Sequence, residues 1–219
     1  MTDAVIFDLD GIIVDSEPVW EDVRRRYVAD HGGHWQPDSQ RRLMGMSTAE
    51  WARYLSDELG VDAPAEQVAT DVVGQMAERY RQHLPLIPGA DAAVRRLAAR
   101  WKLGIASSSP QQLIGPTLEA AGLTRYFRAA LSTERVPHGK PSPDVYVSVA
   151  QLLNVDPKRT VAIEDSSNGV RSAHRAGMAV IAIPHERYPL DDDASRRPAL
   201  TLKSIDELTE QAVEEAGGA

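Results

Sequence analysis

A short apolar run near the start of the chain, Val5-Ile6-Phe7, ends in two carboxylates two residues apart, Asp8 and Asp10, followed by Gly11. The run reads as a buried strand that the glycine terminates. Alternate side chains of an extended chain share a side, so Asp8 and Asp10 can project together. Two acids at the end of a buried strand are costly unless a cation or a substrate needs them. A turn alone does not account for both. An EF-hand loop would need glycine at its sixth position and glutamate at its twelfth, where this chain has Ile13 and Val19. The pair therefore points to chemistry and to a metal.

The 219 residues can bury a substantial core. The net charge is -8 and there is no basic run, which argues against a nucleic-acid partner. The chain has no cysteine, so disulfides and thiolate chemistry are excluded. That absence fits a cytoplasmic location. Thr2 and Asp3 give no basic leader and a strand follows at once, so no signal peptide is expected. No apolar run reaches membrane-spanning length, and no membrane partner is expected.

Residues 17–84 read as helical throughout. Trp20, Val23, Tyr27 and Val28 recur at helical spacing, as do Trp51, Tyr54 and Leu55, and then Val68, Val72, Met76 and Tyr80. Leu84 to Gly89 reads as a connector. Beyond it the pattern alternates. Strands are expected at 103–106, 129–131, 161–163 and 179–183. Helices are expected on Val94, Leu97 and Trp101, from Leu113 to Gly122, on a face of Val145, Val149, Leu152 and Leu153, and from Val170 to Gly177. Residues 189–198 read as a solvated loop. Short apolar strands alternating with helices imply an α/β fold with a parallel sheet covered on both faces. The strand at Val5 finds partners only beyond residue 100, so the helical block is an insertion. The expected division is residues 1–14 with 86–219 as a core and 15–85 as the insert. Ligands in such sheets bind beyond the carboxyl ends of the strands.

Three further polar clusters fall at such ends. Ser107-Ser108-Ser109-Pro110 follows one strand. Ser109 reads as a helix N-cap with Pro110 as the first helical residue, and the neighbouring hydroxyls suit a phosphate. Gly139-Lys140-Pro141 follows the next, and Lys140 is one of only four lysines. Glu164-Asp165 follows the third, with Ser166 or Ser167 as helix cap. Each has an ordinary structural explanation on its own; their coincidence at successive strand ends does not. Asp8, Asp10, Glu164 and Asp165 carry -4 when ionised against +1 from Lys140. A phosphate dianion needs a divalent ion to enter, and Mg2+ prefers such oxygen ligands.

These motifs, Asp8-Leu9-Asp10-Gly11, Ser107, Lys140-Pro141 and Glu164-Asp165, resemble those of the haloacid dehalogenase superfamily, in its capped phosphatase and mutase branch. The resemblance spans nearly the whole chain. It implies a Rossmann-like doubly wound parallel sheet, an all-helical cap inserted after the first strand, and Mg2+ dependence. By it, Asp8 is the nucleophile that becomes an aspartyl phosphate, and Asp10 is the acid and base. Ser107, Ser108 and Lys140 bind the phosphoryl group. Asp8, the Asp10 main-chain carbonyl, Glu164 and Asp165 hold the metal, Glu164 directly or through water. The implied partner is a small phosphorylated metabolite, and a monomer is the default for this cap type.

Asp10 separates the chain from the dehalogenases of the superfamily, which lack a second aspartate. No lysine lies between residues 15 and 85, which argues against the phosphonatase Schiff base. The alternative is a beta-phosphoglucomutase-like isomerase. By alignment, Trp20 and Thr48 stand where that enzyme has a cap histidine and a phosphate-gripping arginine, so water is the favoured acceptor; Arg41, Arg42 and Arg53 are nearby substitutes. The cap positions read as specificity residues are Glu17, Trp20, Met44, Gly45, Met46, Ser47 and Thr48. For Trp20, Met44 and Met46, packing within the cap is an equal reading. Gly11 to Ser16 and Leu84 to Gly89 read as hinges, and His138 and His174 as structural or surface residues.

Overall fold

A computed structural model describes residues 1–43 and 46–218. The chain forms two compact units, Met1–Asp15 with Pro85–Ala219, and Ser16–Leu84. The first holds a six-stranded sheet: β1 (Ala4–Phe7), β2 (Lys102–Ser107), β3 (Phe127–Ser132), β4 (Thr160–Glu164), β5 (Ala179–Ala182) and β6 (Leu200–Thr201). The order is β3-β2-β1-β4-β5-β6 and every pair is parallel. The chain reverses its direction of growth between β1 and β4, the kind of switch point that opens a crevice at the strand ends.

The strands read as continuous apolar runs because helices cover both faces. On one face Ala4, Ile6, Ala106, Ala162, Val180 and Ala182 join a cluster with side chains of α7 (Asp144–Leu153) and α8 (Ser167–Arg175). The intervening residues Val5, Phe7, Leu103, Ile105, Val161, Ile163 and Ile181 are also buried. α5 (Ala90–Ala98) packs on β2, α9 (Glu210–Gly218) on β4 and β5, and α6 (Gln111–Ala120) on β3. Gly104 has no side chain where α7 crosses β2: a Cβ there would meet Val149 Cγ1 at 2.6 Å.

The two chain passages to and from the insert run side by side. Val14 and Leu86 form an antiparallel bridge, Asp15 N donates to the Pro85 carbonyl at 2.9 Å, and Ile87 N donates to the Ile13 carbonyl at 2.9 Å.

Among its described residues the second unit has helices as its only regular elements: α1 (Glu17–Asp30), α2 (Ser39–Leu43), α3 (Thr48–Arg53) continuing into a wider π-type turn over Tyr54–Glu58, and α4 (Ala65–Gln82). Its core includes Val23, Tyr27, Val28, Leu55, Val68, Val72 and Met76. The Arg24 guanidinium lies over the rings of Trp20 and Trp51, at 4.5 and 5.1 Å from their centroids. Tyr27 donates to Asp71 at 2.9 Å and Arg79 pairs with Asp22 at 2.5 Å, tying α1 to α4.

Three expectations are corrected. Trp101 lies beyond the end of α5 at Ala98. Leu152 is 62% exposed, and Tyr146 and Ala150 complete the buried face of α7 instead. Residues 189–198 are fastened rather than merely solvated: Arg171 pairs with Asp191 at 2.5 Å and Asp193 at 2.8 Å, and Ala194 is fully buried. β6 and α9 carry no expectation at all, because β6 has two residues and α9 is largely charged on its open side.

Gly104→Ala is expected to cost about 1–3 kcal/mol, because the new methyl overpacks against a stiff β-branched side chain. In a Val149→Ala background the same change should cost measurably less, since the opposing Cγ1 is gone. Urea unfolding of the four variants in this cycle measures both.

Candidate active site

Strand register assembles the site. Phe7 lies opposite Ile105 on β2 and Ile163 on β4. One residue further along β1 is Asp8, whose N–H donates to the Ile163 carbonyl at 2.9 Å. One residue beyond Ile163 is Glu164, and two beyond Ile105 is Ser107. Three polar groups thus reach the carboxyl edge of neighbouring strands together. Lys140 arrives from the segment after β3, just before α7.

Lys140 links two of the acids. Its Nζ lies 3.0 Å from Asp8 Oδ1 and 2.6 Å from Glu164 Oε1, and all three side chains are under 10% exposed. Burial works against the Lys140 ammonium, but the carboxylates of Asp8 and Glu164 outweigh it and hold the group above the usual lysine value. Glu164 is fully buried. Tyr146 donates to its Oε1 at 2.7 Å. Its Oε2 accepts from Asp165 N at 3.2 Å, Ser166 N at 3.3 Å and Ser166 Oγ at 3.1 Å. Ser166 also caps α8, accepting from Gly169 N at 3.1 Å.

Asp8, Glu164 and Asp165 each offer a carboxylate oxygen, all within 4.8 Å of one another. Burial pushes the Asp8 carboxyl up to about 8, with the charges of Glu164 and Asp10 adding and Lys140 opposing. Desolvation, then Asp8 and Glu164, raise Asp165 well above the usual carboxylate range. Among the described residues the buried Asp8 Oδ1 and Asp10 Oδ1 have no hydrogen-bond partner, Lys140 reaching the former only as an ion pair. Such an all-oxygen, charge-crowded donor set fits a hard divalent cation.

Two glycines make the crowding possible. Gly11 has φ +75°, and a Cβ there would overlap the Asp165 carboxylate. A Cβ on Gly169 would overlap the Glu164 carboxylate. Sequence reasoning passed over Gly169. Its signal was a glycine in the first turn of a helix, where propensity disfavours it.

Asp10 has a different environment. Its Oδ2 accepts from Ser107 Oγ at 3.2 Å and from Ser109 Oγ at 2.7 Å, and Ser107 Oγ accepts from Ser109 N at 2.9 Å. The expectation that Ser109 caps α6 with Pro110 as its first residue is corrected: Pro110 holds the cap position, the helix begins at Gln111, and the Ser109 hydroxyl serves Asp10. The Ser109 carbonyl is held in turn by Ser132 Oγ at 2.6 Å. Ser108 is exposed.

The positions read as specificity residues lie in the helical unit. Glu17 accepts from Gln40 at 2.6 Å. Trp20 is buried against Arg24 and Trp51, with ring centroids of the two tryptophans 6.0 Å apart. Met46 N donates to the Leu43 carbonyl at 3.2 Å. Ser47 caps α3 in a reciprocal box with Glu50, and Thr48 is the first residue of that helix. Met44 and Gly45 lie outside the described residues. In the core unit His138 is exposed and pairs with Asp144 at 3.1 Å, and His174 is exposed.

Known proteins resemble this chain in sequence and fold. Residues 5–183 match the family model of haloacid dehalogenase-like hydrolases. The phosphorylated carbohydrates phosphatase of Thermotoga maritima is 33% identical, over 80% of this chain and 82% of its own. Hexitol phosphatase B of Escherichia coli K12 is 33% identical, over 94% of both. The crystal structure of CbbY from Rhodobacter sphaeroides in complex with phosphate superposes with a TM-score of 0.84 at 25% identity, covering 95% of this chain and 96% of that one. The chain belongs to the haloacid dehalogenase-like hydrolases. Among its described residues no helix is long and apolar enough to cross a membrane.

The raised Asp8 carboxyl has a consequence for the metal-free protein. Between the ordinary 3.8 and about 8 it keeps its proton in the fold and loses it in the unfolded chain. Its contribution to stability is therefore whole below that window and disappears as pH rises through it. In the presence of chelator, Tm is expected to be lower at pH 8 than at pH 5.5, and Asp8→Asn should remove part of that slope. Scanning calorimetry of the two proteins measures it; equal slopes would exclude Asp8 as the source.

Proposed function

We propose that this phosphoric monoester hydrolase is a Mg2+-dependent phosphatase of small phosphorylated metabolites, with sugar or sugar-alcohol phosphates as the substrate class, working through an aspartyl phosphate on Asp8. One observation carries the reading: the two carboxylates of the Asp8-Leu9-Asp10 motif occupy different environments. Asp8 faces Lys140 among the acids, while Asp10 is turned onto two serine hydroxyls. Paired acids with divergent surroundings divide into a nucleophile and an acid/base. The named activities of the two 33% identical relatives support the substrate class.

An Asp8 oxygen attacks phosphorus as the ester P–O bond breaks, and Asp10 gives its proton to the departing alkoxide. Water then attacks the same phosphorus from solution, Asp10 takes the water's proton, and the acyl phosphate breaks to free phosphate and the Asp8 carboxylate. Lys140 offers its ammonium to the phosphoryl oxygens, and Ser107 its hydroxyl, with Ser108 beside it. The residues that would hold Mg2+ are Asp8, Glu164 and Asp165, with the Asp10 main-chain carbonyl. When bound, the ion supplies charge neutralisation that lets a dianion approach these acids. We assign substrate choice to the helical unit as a cap, through Glu17, Trp20 and residues 44–48.

Asp8→Asn should fold and show no turnover above background. Asp10→Asn should lower kcat by about 10²–10⁴. Free phosphate released from a panel of sugar phosphates, sugar-alcohol phosphates and an aryl phosphate, with Mg2+ and with chelator, checks both. Isomerisation of one phosphosugar without phosphate release would overturn the assignment in favour of a mutase, and wild-type activity of Asp8→Asn would overturn the nucleophile.

A further inference from the structure

Tyr146 belongs to no motif that defines the site, yet its hydroxyl reaches one of the site's buried carboxylates. It lies in the first turn of α7, six residues after Lys140 on the same segment, and is fully buried. A phenol in an apolar core is costly unless its hydroxyl is paired. Phenylalanine would fill the same space without that cost. The hydroxyl donates to Glu164 Oε1 at 2.7 Å, the oxygen that also receives Lys140 Nζ at 2.6 Å. The ring lies beside the same ammonium, its centroid 5.2 Å from Nζ.

We propose that Tyr146 is a positioning residue that divides Lys140 between Asp8 and Glu164 and fixes the Glu164 carboxylate for the metal. The reasoning follows donors and acceptors. Lys140 has three protons and faces two buried carboxylates, at 3.0 Å and 2.6 Å. The shorter contact would capture the ammonium if Glu164 Oε1 had no other donor. The phenol proton occupies one lone pair of that oxygen and weakens its hold on Lys140. Glu164 then keeps its orientation, with the contacts from Asp165 N, Ser166 N and Ser166 Oγ on Oε2 fixing its other side. The ring face adds a contact that keeps Nζ within the crevice. Tyr146 touches neither substrate nor reacting atoms and acts through Glu164 and Lys140.

The inference rests on the Mg2+-dependent reading above, and its test separates the two. Tyr146→Phe removes one oxygen and keeps the ring, so the fold and the cation–ring contact survive. Tyr27→Phe is the control, because Tyr27 also donates to a carboxylate, Asp71, within the helical unit. Half-saturating Mg2+ is read from the thermal shift of each protein without substrate, and kcat and KM from phosphate release. Tyr146→Phe is expected to raise half-saturating Mg2+ by about ten-fold and lower kcat by about ten-fold. KM should move less than kcat, and Tyr27→Phe should alter Tm alone. If Tyr146→Phe binds Mg2+ and turns over like the wild type and merely melts earlier, the positioning role is wrong while the metal reading stands. If the wild type itself shows no Mg2+ shift and no phosphatase activity, the metal reading fails and takes this inference with it.

Discussion

One buried cation holds the candidate site together. Lys140 faces Asp8 and Glu164 where water is nearly excluded, and without it two carboxylates would sit unneutralised against a third, Asp165. Burying one member of such a group is unfavourable; burying the set is tolerable only because the ammonium and a ring of donors share the charge. The surrounding structure follows from that need. Gly11 and Gly169 give up side chains so that the acids can be approached closely, Ser166 caps its helix and turns its hydroxyl to Glu164, and Tyr146 brings a phenol into an otherwise apolar layer.

The sheet makes this cluster possible by its order rather than by its composition. β1 sits between β2 and β4, so side chains far apart in the chain emerge side by side once three strands end at the same level. On the proposed reading, the acids that Lys140 leaves without a cationic partner are what a divalent ion would bind. Such a site, on that reading, repels a phosphate dianion until a cation arrives. On the same reading, substrate choice is left to the helical unit, whose residues are separate from the strand ends.

Much of this was legible before any coordinates. Val5-Ile6-Phe7 followed by Asp8 and Asp10 marks a strand that ends in chemistry, and the alternation after residue 100 marks a parallel sheet. The helical spacing of Trp20, Val23, Tyr27 and Val28 marks the insert. Legibility failed where local rules allowed two outcomes. Ser109 before Pro110 satisfies every rule for a helix cap, yet Pro110 holds the cap position and the Ser109 hydroxyl donates to Asp10, because β2 lies beside β1 and brings the serine within reach of a charged acceptor. Leu152 fits the helical period but falls on the open side of α7, where the period alone cannot say which face the sheet takes.

By itself the sequence determined most of the elements, the strand-end positions of Asp8, Ser107 and Glu164, and the family these motifs define. Those are local properties, written in spacing and residue type. The tertiary structure alone decided which acid meets which donor. Asp8 and Asp10 differ by two positions in the chain, yet one faces a lysine and the other two serines. Tyr146 reads as one more apolar residue until α7 is laid across the sheet and its hydroxyl reaches Glu164. Pairings of this kind depend on side-chain direction at the ends of elements distant in sequence, and only the packed sheet specifies that direction.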